Sequence, residues 1–176
     1  MILQETTLAG VYITEPEKRM DARGFFARTF CANVFKDKGL ESKFVQGNMS
    51  RTLKKHTIRG MHCQIQGAAE AKLVRCTKGS ILDVVLDLRS ESPTYCQYFS
   101  IELSEENARQ IYIPKGFAHG FCTLSDQSEV AYLVSAFYAP GKEFGLRWND
   151  SQFGIVWPTE QPILSEKDAN YPDFQG

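Results

Sequence analysis

The sequence predicts a mostly β protein, a double-sheet jelly roll or small barrel with little helix. Short apolar runs rich in Val, Ile, Tyr and Phe recur at intervals of about 8–12 residues. Gly, Pro, Ser, Asp and Asn separate them, and neither an internal repeat nor a low-complexity linker interrupts the series. At 176 residues and 43 % hydrophobic, the chain is long enough for one well-buried domain and short for two, so a single domain over residues 1–176 is expected.

In chain order, "GVYIT" (10–14) reads as the first strand. "FCANVFKDKGL" (30–40) reads as a helix, with Phe30, Val34 and Phe35 near one face and Gly39 where a C-terminal cap would sit. "TIRGMHCQ" (57–64) reads as a strand. Strict alternation would put Arg59, Met61 and Cys63 on one face and Gly60, His62 and Gln64 on the other. In "KLVRCTKGSILDVVLDLR" (72–89) the same rule turns Lys72 to the face of Val74 and Cys76, an unusual place for a lysine. "QYFSIEL" (97–103) follows, "LSEEN" (103–107) suits one further turn, and "RQIYIP" (109–114) ends in a Pro114–Gly116 turn. His119 then enters a strand continued by "GFCTLS" (120–125), and "SEVAYLVSAFYAP" (128–140) and "FGLRW" (144–148) complete the set. A barrel of this kind has a mouth where a ligand can sit.

Composition narrows the function. A formal net charge of −1 gives no general attraction to nucleic acid or to an anionic membrane, so an anionic ligand must be met by a local cluster of bases. No run of about 18 apolar residues occurs. The N-terminus lacks the basic start, apolar middle and small-residue cleavage site of a signal peptide, so a cytoplasmic location is expected. The five cysteines are an odd number with no CxxC pair and sit among apolar residues, which points to buried free thiols. The three histidines, His56, His62 and His119, raise a metal site for Fe, Mn or Zn and with it a metal-dependent oxygenase. Against that, there is no H-x-H pair and no Glu close after His62. Taken alone, Tyr132 reads as a strand aromatic and Asp168 as a surface residue.

Eight segments change the weight of these readings. "DARGFFARTF", "FVQGNMSRT", "TIRGMHCQ", "AKLVR", "GSILDVVLDLRSESPTY", "LSEENARQIYIPKGFAHGF", "WNDSQFGIVWP" and "PILSEKD" occur in the order found in the dTDP-4-dehydrorhamnose 3,5-epimerase family, and the chain resembles that family over nearly its whole length. The resemblance implies a cupin-type jelly roll and a homodimer. Each barrel would hold a nucleotide-diphospho-4-keto-6-deoxyhexose and use no metal or cofactor. It further implies that His62 is the base acting at C3 and C5, with Asp168 as its carboxylate partner. Lys72 would stabilise the enolate, and Tyr132 would be the acid on the opposite face of the sugar. Arg23, Gln46, Asn48, Arg59, His119, Tyr138, Glu143 and Lys167 match family positions that contact nucleotide, diphosphate or sugar.

Three departures bear on the substrate. Arg28 replaces the family's usual glutamate after "RGFF", Cys63 replaces the aromatic after the motif histidine, and "YLVSAFY" replaces "YKTTDYY". Arginine offers only donors, whereas cytosine presents acceptors at O2 and N3. A CDP-linked sugar is therefore weighed beside dTDP, with Leu133 and Ala136 as further signs of a reshaped pocket. Epimerisation at C3 alone is the other variant within the family.

Overall fold

The computed structural model describes residues 1–175. The chain opens with β1 (Ile2–Glu5) and β2 (Tyr12–Glu15), then a separate antiparallel ribbon of β3 (Arg19–Asp21) and β4 (Gly24–Phe26). Helix α1 (Ala32–Asp37) follows, and after it β5 (Gln46–Thr52), β6 (Ile58–Gln64), β7 (Lys72–Lys78), β8 (Ser80–Asp87) and β9 (Tyr98–Ser104). The rest is β10 (Gln110–Ile113), β11 (Phe117–Thr123), β12 (Ser128–Val134), β13 (Glu143–Gly145) and the single-turn α2 (Glu166–Ala169). Two antiparallel sheets, ordered β1-β2-β10-β7-β12-β5 and β13-β6-β11-β8-β9, make the expected jelly roll.

Apolar residues of the two inner faces fill the space between the sheets. Val74, Cys76, Ile111, Ile113 and Val130 of the larger sheet meet Ile81, Val85, Leu103, Phe117 and Phe121 of the smaller. Strands β8 and β11 read as nearly continuous apolar runs because their outer face is covered too, by Leu146, Phe153, Trp157 and Phe174 of the C-terminal segment. Behind the larger sheet, Phe35 of α1 packs with Ala71, Leu73 and Tyr112. Gly39 caps α1 as expected. It takes φ +71°, and its N–H and that of Leu40 reach back to Lys36 and Phe35.

Two sequence expectations need correction. β12 stops at Val134 rather than running to Pro140. The reason is that Ser135 leaves the ladder to bond Ala71, its N–H to the carbonyl and its Oγ to the N–H. In β6, strict alternation fails: His62 pairs with His119 but Arg59 pairs with Phe121, so β6 spends three steps where β11 spends two. This β-bulge turns Arg59 and His62 into one cavity rather than onto opposite faces. Gly60 makes it feasible, with φ +131° and Gly120 Cα only 2.5 Å from where a Cβ would stand. The two-residue step also fits Lys72, which shares the inner face of Val74 and Cys76 as alternation predicts.

Candidate active site

The bulge opens onto a cavity of about 430 Å³ between the ends of the two sheets. Arg59 and His62 of β6 and His119 of β11 face it from the smaller sheet; Lys72 of β7 and Tyr132 of β12 face it from the larger. Lys167 and Asp168 close one side. A second lobe of about 280 Å³ is bordered by Gln46 and Asn48 of β5 with Glu70, Tyr138 and Glu143. His62, Lys72 and Tyr132 border both lobes.

The placement of Asp168 follows from how the C-terminal segment docks. Ile163 donates its N–H to His56 O at 2.8 Å and accepts from Ile58 N–H at 3.0 Å, which lays the segment along the start of β6. Ser165 then caps α2, its Oγ accepting the Asp168 N–H at 3.1 Å. That leaves the Asp168 carboxylate 2.6 Å from His62 Nε2, with the carboxylate side chain 7 % exposed and the imidazole 37 % exposed. Burial opposes ionisation of Asp168, but the hydrogen bond and charge of His62, with Ser165 and the Gly60 N–H, outweigh it and hold the carboxyl below its ordinary value. Tyr171 packs edge-on against the imidazole, ring centres 5.6 Å apart. One imidazole nitrogen is thus occupied by a carboxylate, the arrangement that fixes a tautomer and stabilises an imidazolium.

Across the cavity, Tyr132 sits opposite Asn48 and Val74 in the sheet register. Burial pushes its phenol up, the Glu70 charge adds to that, and Arg59 opposes it. Lys72 Nζ lies 3.4 Å from Glu70, and both side chains are largely buried. His119 Nε2 lies 2.8 Å from Asp83, which is fully buried. Arg59 Nε donates to Thr52 Oγ1 at 3.0 Å. At the rim Lys167 donates to Glu143 at 2.7 Å, which raises the lysine to about 12.

Of the residues singled out in the sequence, eleven border the two lobes: His62, Lys72, Tyr132, Asp168, Arg59, His119, Lys167, Gln46, Asn48, Tyr138 and Glu143. Arg23 and Arg28 are not brought there. Arg23 lies on the turn of the β3–β4 ribbon, 90 % exposed and paired with Asp21. Arg28 lines a separate cavity with Glu17, Arg19 and Cys31, and Leu133 packs behind the larger sheet with Phe35 and Tyr112. Neither reshapes this cavity within one chain. His56 sits in the turn before β6, so the three histidines do not converge; His62 and His119 each face a carboxylate instead. Cys63, Cys76 and Cys122 are buried free thiols, each pushed up to about 11 by burial, while Cys31 and Cys96 are only partly buried.

Sequence reasoning missed Glu70, Asp83, Ser165 and Tyr171. Asp83 carried a usable signal, a carboxylate inside the apolar run "SILDVVLD", which must find a partner when buried.

Fold and cavity together define a class: a jelly roll whose mouth sets an imidazole–carboxylate pair on one wall and a phenol and an ammonium on the other. A sequence profile of the dTDP-4-dehydrorhamnose 3,5-epimerase family matches residues 5–176. The dTDP-4-dehydrorhamnose 3,5-epimerase of Salmonella typhimurium is 45 % identical over 174 residues, 98 % of this chain and 94 % of that protein. The Bacillus anthracis enzyme of that name, solved with TDP and PPi bound, is 40 % identical with a TM-score of 0.95, covering 98 % of this chain and 99 % of that one. The Legionella pneumophila dTDP-6-deoxy-D-glucose-3,5-epimerase, in complex with dTDP-4-keto-L-rhamnose, is 39 % identical with a TM-score of 0.90, covering 99 % of each chain. The chain belongs to the dTDP-4-dehydrorhamnose 3,5-epimerase family.

Proposed function

We propose that this protein is a single-domain isomerase that inverts C3 and C5 of dTDP-4-keto-6-deoxyglucose through enolate intermediates, in deoxysugar biosynthesis. The observation that carries the reading is the split of the acid–base groups between the sheets. His62, paired with Asp168, stands on one wall and Tyr132 on the other, with Lys72 between the lobes they share. A C–H beside a ketone becomes acidic when the enolate oxygen meets positive charge. His62 takes the proton, Asp168 stabilises the imidazolium that forms, and Lys72 meets the developing oxyanion. Tyr132 returns a proton from the opposite face, which inverts the carbon. The same groups serve C3 and C5 in turn, since both flank the C4 ketone. Arg59 and Lys167 bring positive charge for the diphosphate in a near-neutral chain, and His119 faces the same cavity. Gln46, Asn48, Tyr138 and Glu143 hold the remaining polar groups. No metal or cofactor enters these steps.

The reading includes a homodimer. Arg23 and Arg28 lie outside the cavity of their own chain, and the ribbon that carries Arg23 also exposes Met20, Phe25 and Phe26. A second copy covering that ribbon would bury the apolar side chains and bring Arg23 to its own site. The near-neutral charge gives no general attraction to nucleic acid or to an anionic membrane surface, and no helix among the described residues is long and apolar enough to cross a bilayer. The location that fits is the cytoplasm.

The nucleotide is tested by kcat/KM on dTDP- and CDP-linked 4-keto-6-deoxyglucose, side by side, for the native protein and Arg28→Glu. The expected outcome is a dTDP preference that Arg28→Glu leaves in place. A CDP preference weakened by that substitution would overturn the choice of nucleotide.

A further inference from the structure

The loop between β6 and β7 carries a largely buried carboxylate to which the steps above give no task. The Glu70 side chain is 11 % exposed. One of its oxygens accepts from Gln64 Nε2 at 2.9 Å, and the other lies 3.4 Å from Lys72 Nζ. Gln64 is itself anchored to main chain, its Oε1 accepting the Ala139 N–H at 2.8 Å and its Nε2 also reaching Ala68 O at 3.3 Å. Glu70 is therefore fixed from behind before it meets the ammonium. A carboxylate here weakens the positive field that an enolate needs, so its burial beside Lys72 calls for a compensating benefit. It borders the same lobe as Tyr132.

We propose that Glu70 is a positioning residue: it aims the Lys72 ammonium at the carbonyl oxygen of the sugar and sets a negative charge in the lobe that holds the Tyr132 phenol. This rests on the roles given to Lys72 and Tyr132 above. The charged and titratable groups around Tyr132 come from several elements. β6 supplies Arg59, His62 and Cys63, β7 Lys72, β11 His119, and α2 Lys167 and Asp168. β13 adds Glu143, the β12–β13 loop adds Tyr138, and Arg75 of β7 borders a further cavity with Tyr132; β5 supplies only the neutral Gln46, Asn48 and Ser50. Among the carboxylates, Asp168 is engaged by His62 and Glu143 by Lys167. Glu70 is the carboxylate whose charge raises the phenol, in addition to burial, against the pull of Arg59.

Two substitutions separate the two tasks. Glu70→Gln keeps the length and removes the charge; its single amide oxygen can serve Lys72 or Gln64 but not both. The alkaline limb of its kcat–pH profile should move to lower pH. Glu70→Ala removes acceptor and charge, and kcat should fall by roughly 10- to 100-fold with little change in KM, the scale of a misplaced reacting group. Tyrosinate formation, followed by ultraviolet difference titration against Tyr132→Phe in the same background, should begin at lower pH in Glu70→Gln than in the native protein. That readout needs no turnover and survives a failure of Glu70→Ala to fold. An alkaline limb and a tyrosinate titration both unmoved in Glu70→Gln would overturn the proposal even while native turnover upholds the epimerase reading. Native protein without turnover would overturn both.

Discussion

At the scale of single residues, the site turns on pairs rather than on isolated groups. An imidazole 37 % exposed would be an ordinary surface histidine without the buried carboxylate 2.6 Å away. His62, Lys72 and Tyr132 could be singled out because their residue types suit the chemistry of an acidified C–H and their order resembles the family's, and all three border one cavity. Their partners were not legible in the same way. Nothing in the local sequence around Asp83 says that it will meet His119, because that partner is set by the register of β8 on β11; Lys72 stands only two residues from Glu70, but the fold that buries both is not local. Asp168 was legible only through the motif "SEKD", since a carboxylate in a polar tail otherwise reads as solvated. The separation of base from acid leads to a prediction about Tyr132. With Tyr132→Phe, His62 should still exchange substrate protons with solvent while inversion falls by about 10²–10⁴-fold, the usual worth of a positioned acid. Proton NMR of the keto-sugar in deuterated buffer follows both processes in one sample. An equal loss of exchange and inversion would remove the acid role from Tyr132.

At the scale of elements, β6 shows where periodicity stops being a guide. Its seven residues look like a regular strand, and alternation would place Arg59 and His62 back to back. The bulge reverses that placement, and its cause lies in another strand, where Gly120 lets the Gly60 backbone come close. Such a contact is invisible to a reading of residues 57–64 alone. β12 ends early for a similar reason, a hydrogen-bonded pair between Ser135 and Ala71 far apart in the chain. α1 was legible because its signals, an apolar face and a glycine cap, are local. The bulge can be tested. In Gly60→Ala, a Cβ 2.5 Å from Gly120 Cα at φ +131° should cost roughly 2–4 kcal/mol of stability. Because β6 must shift to relieve it, kcat should also fall on the order of 10²-fold. Thermal melts and steady-state kinetics read the two effects, and a variant with native stability and rate would show that the bulge does not position the site.

At the scale of the whole molecule, the jelly roll was legible in the spacing of its apolar runs. The covering of the smaller sheet's outer face was not, since it depends on a C-terminal segment with no strand pattern of its own. The proposed dimer belongs to this scale as well. If Arg23 completes the site of a partner, inactive His62→Asn and impaired Arg23→Ala chains mixed after subunit exchange should recover up to about a quarter of native activity. Half of the dimers would then be mixed, each with one intact site. No recovery, with exchange verified by differential tagging, would place Arg23 outside the partner's site.

The central claim is that His62 removes the protons flanking the ketone of a nucleotide-linked sugar. The most direct measurement is deuterium incorporation into dTDP-4-keto-6-deoxyglucose in deuterated buffer, resolved by NMR at C3 and C5, for the native protein and His62→Asn. The native protein should label both carbons. His62→Asn should lose labelling at both by about 10²–10⁴-fold or more while still binding dTDP. Labelling at C3 alone would restrict the reaction to a 3-epimerisation, and near-native labelling by His62→Asn would contradict the account.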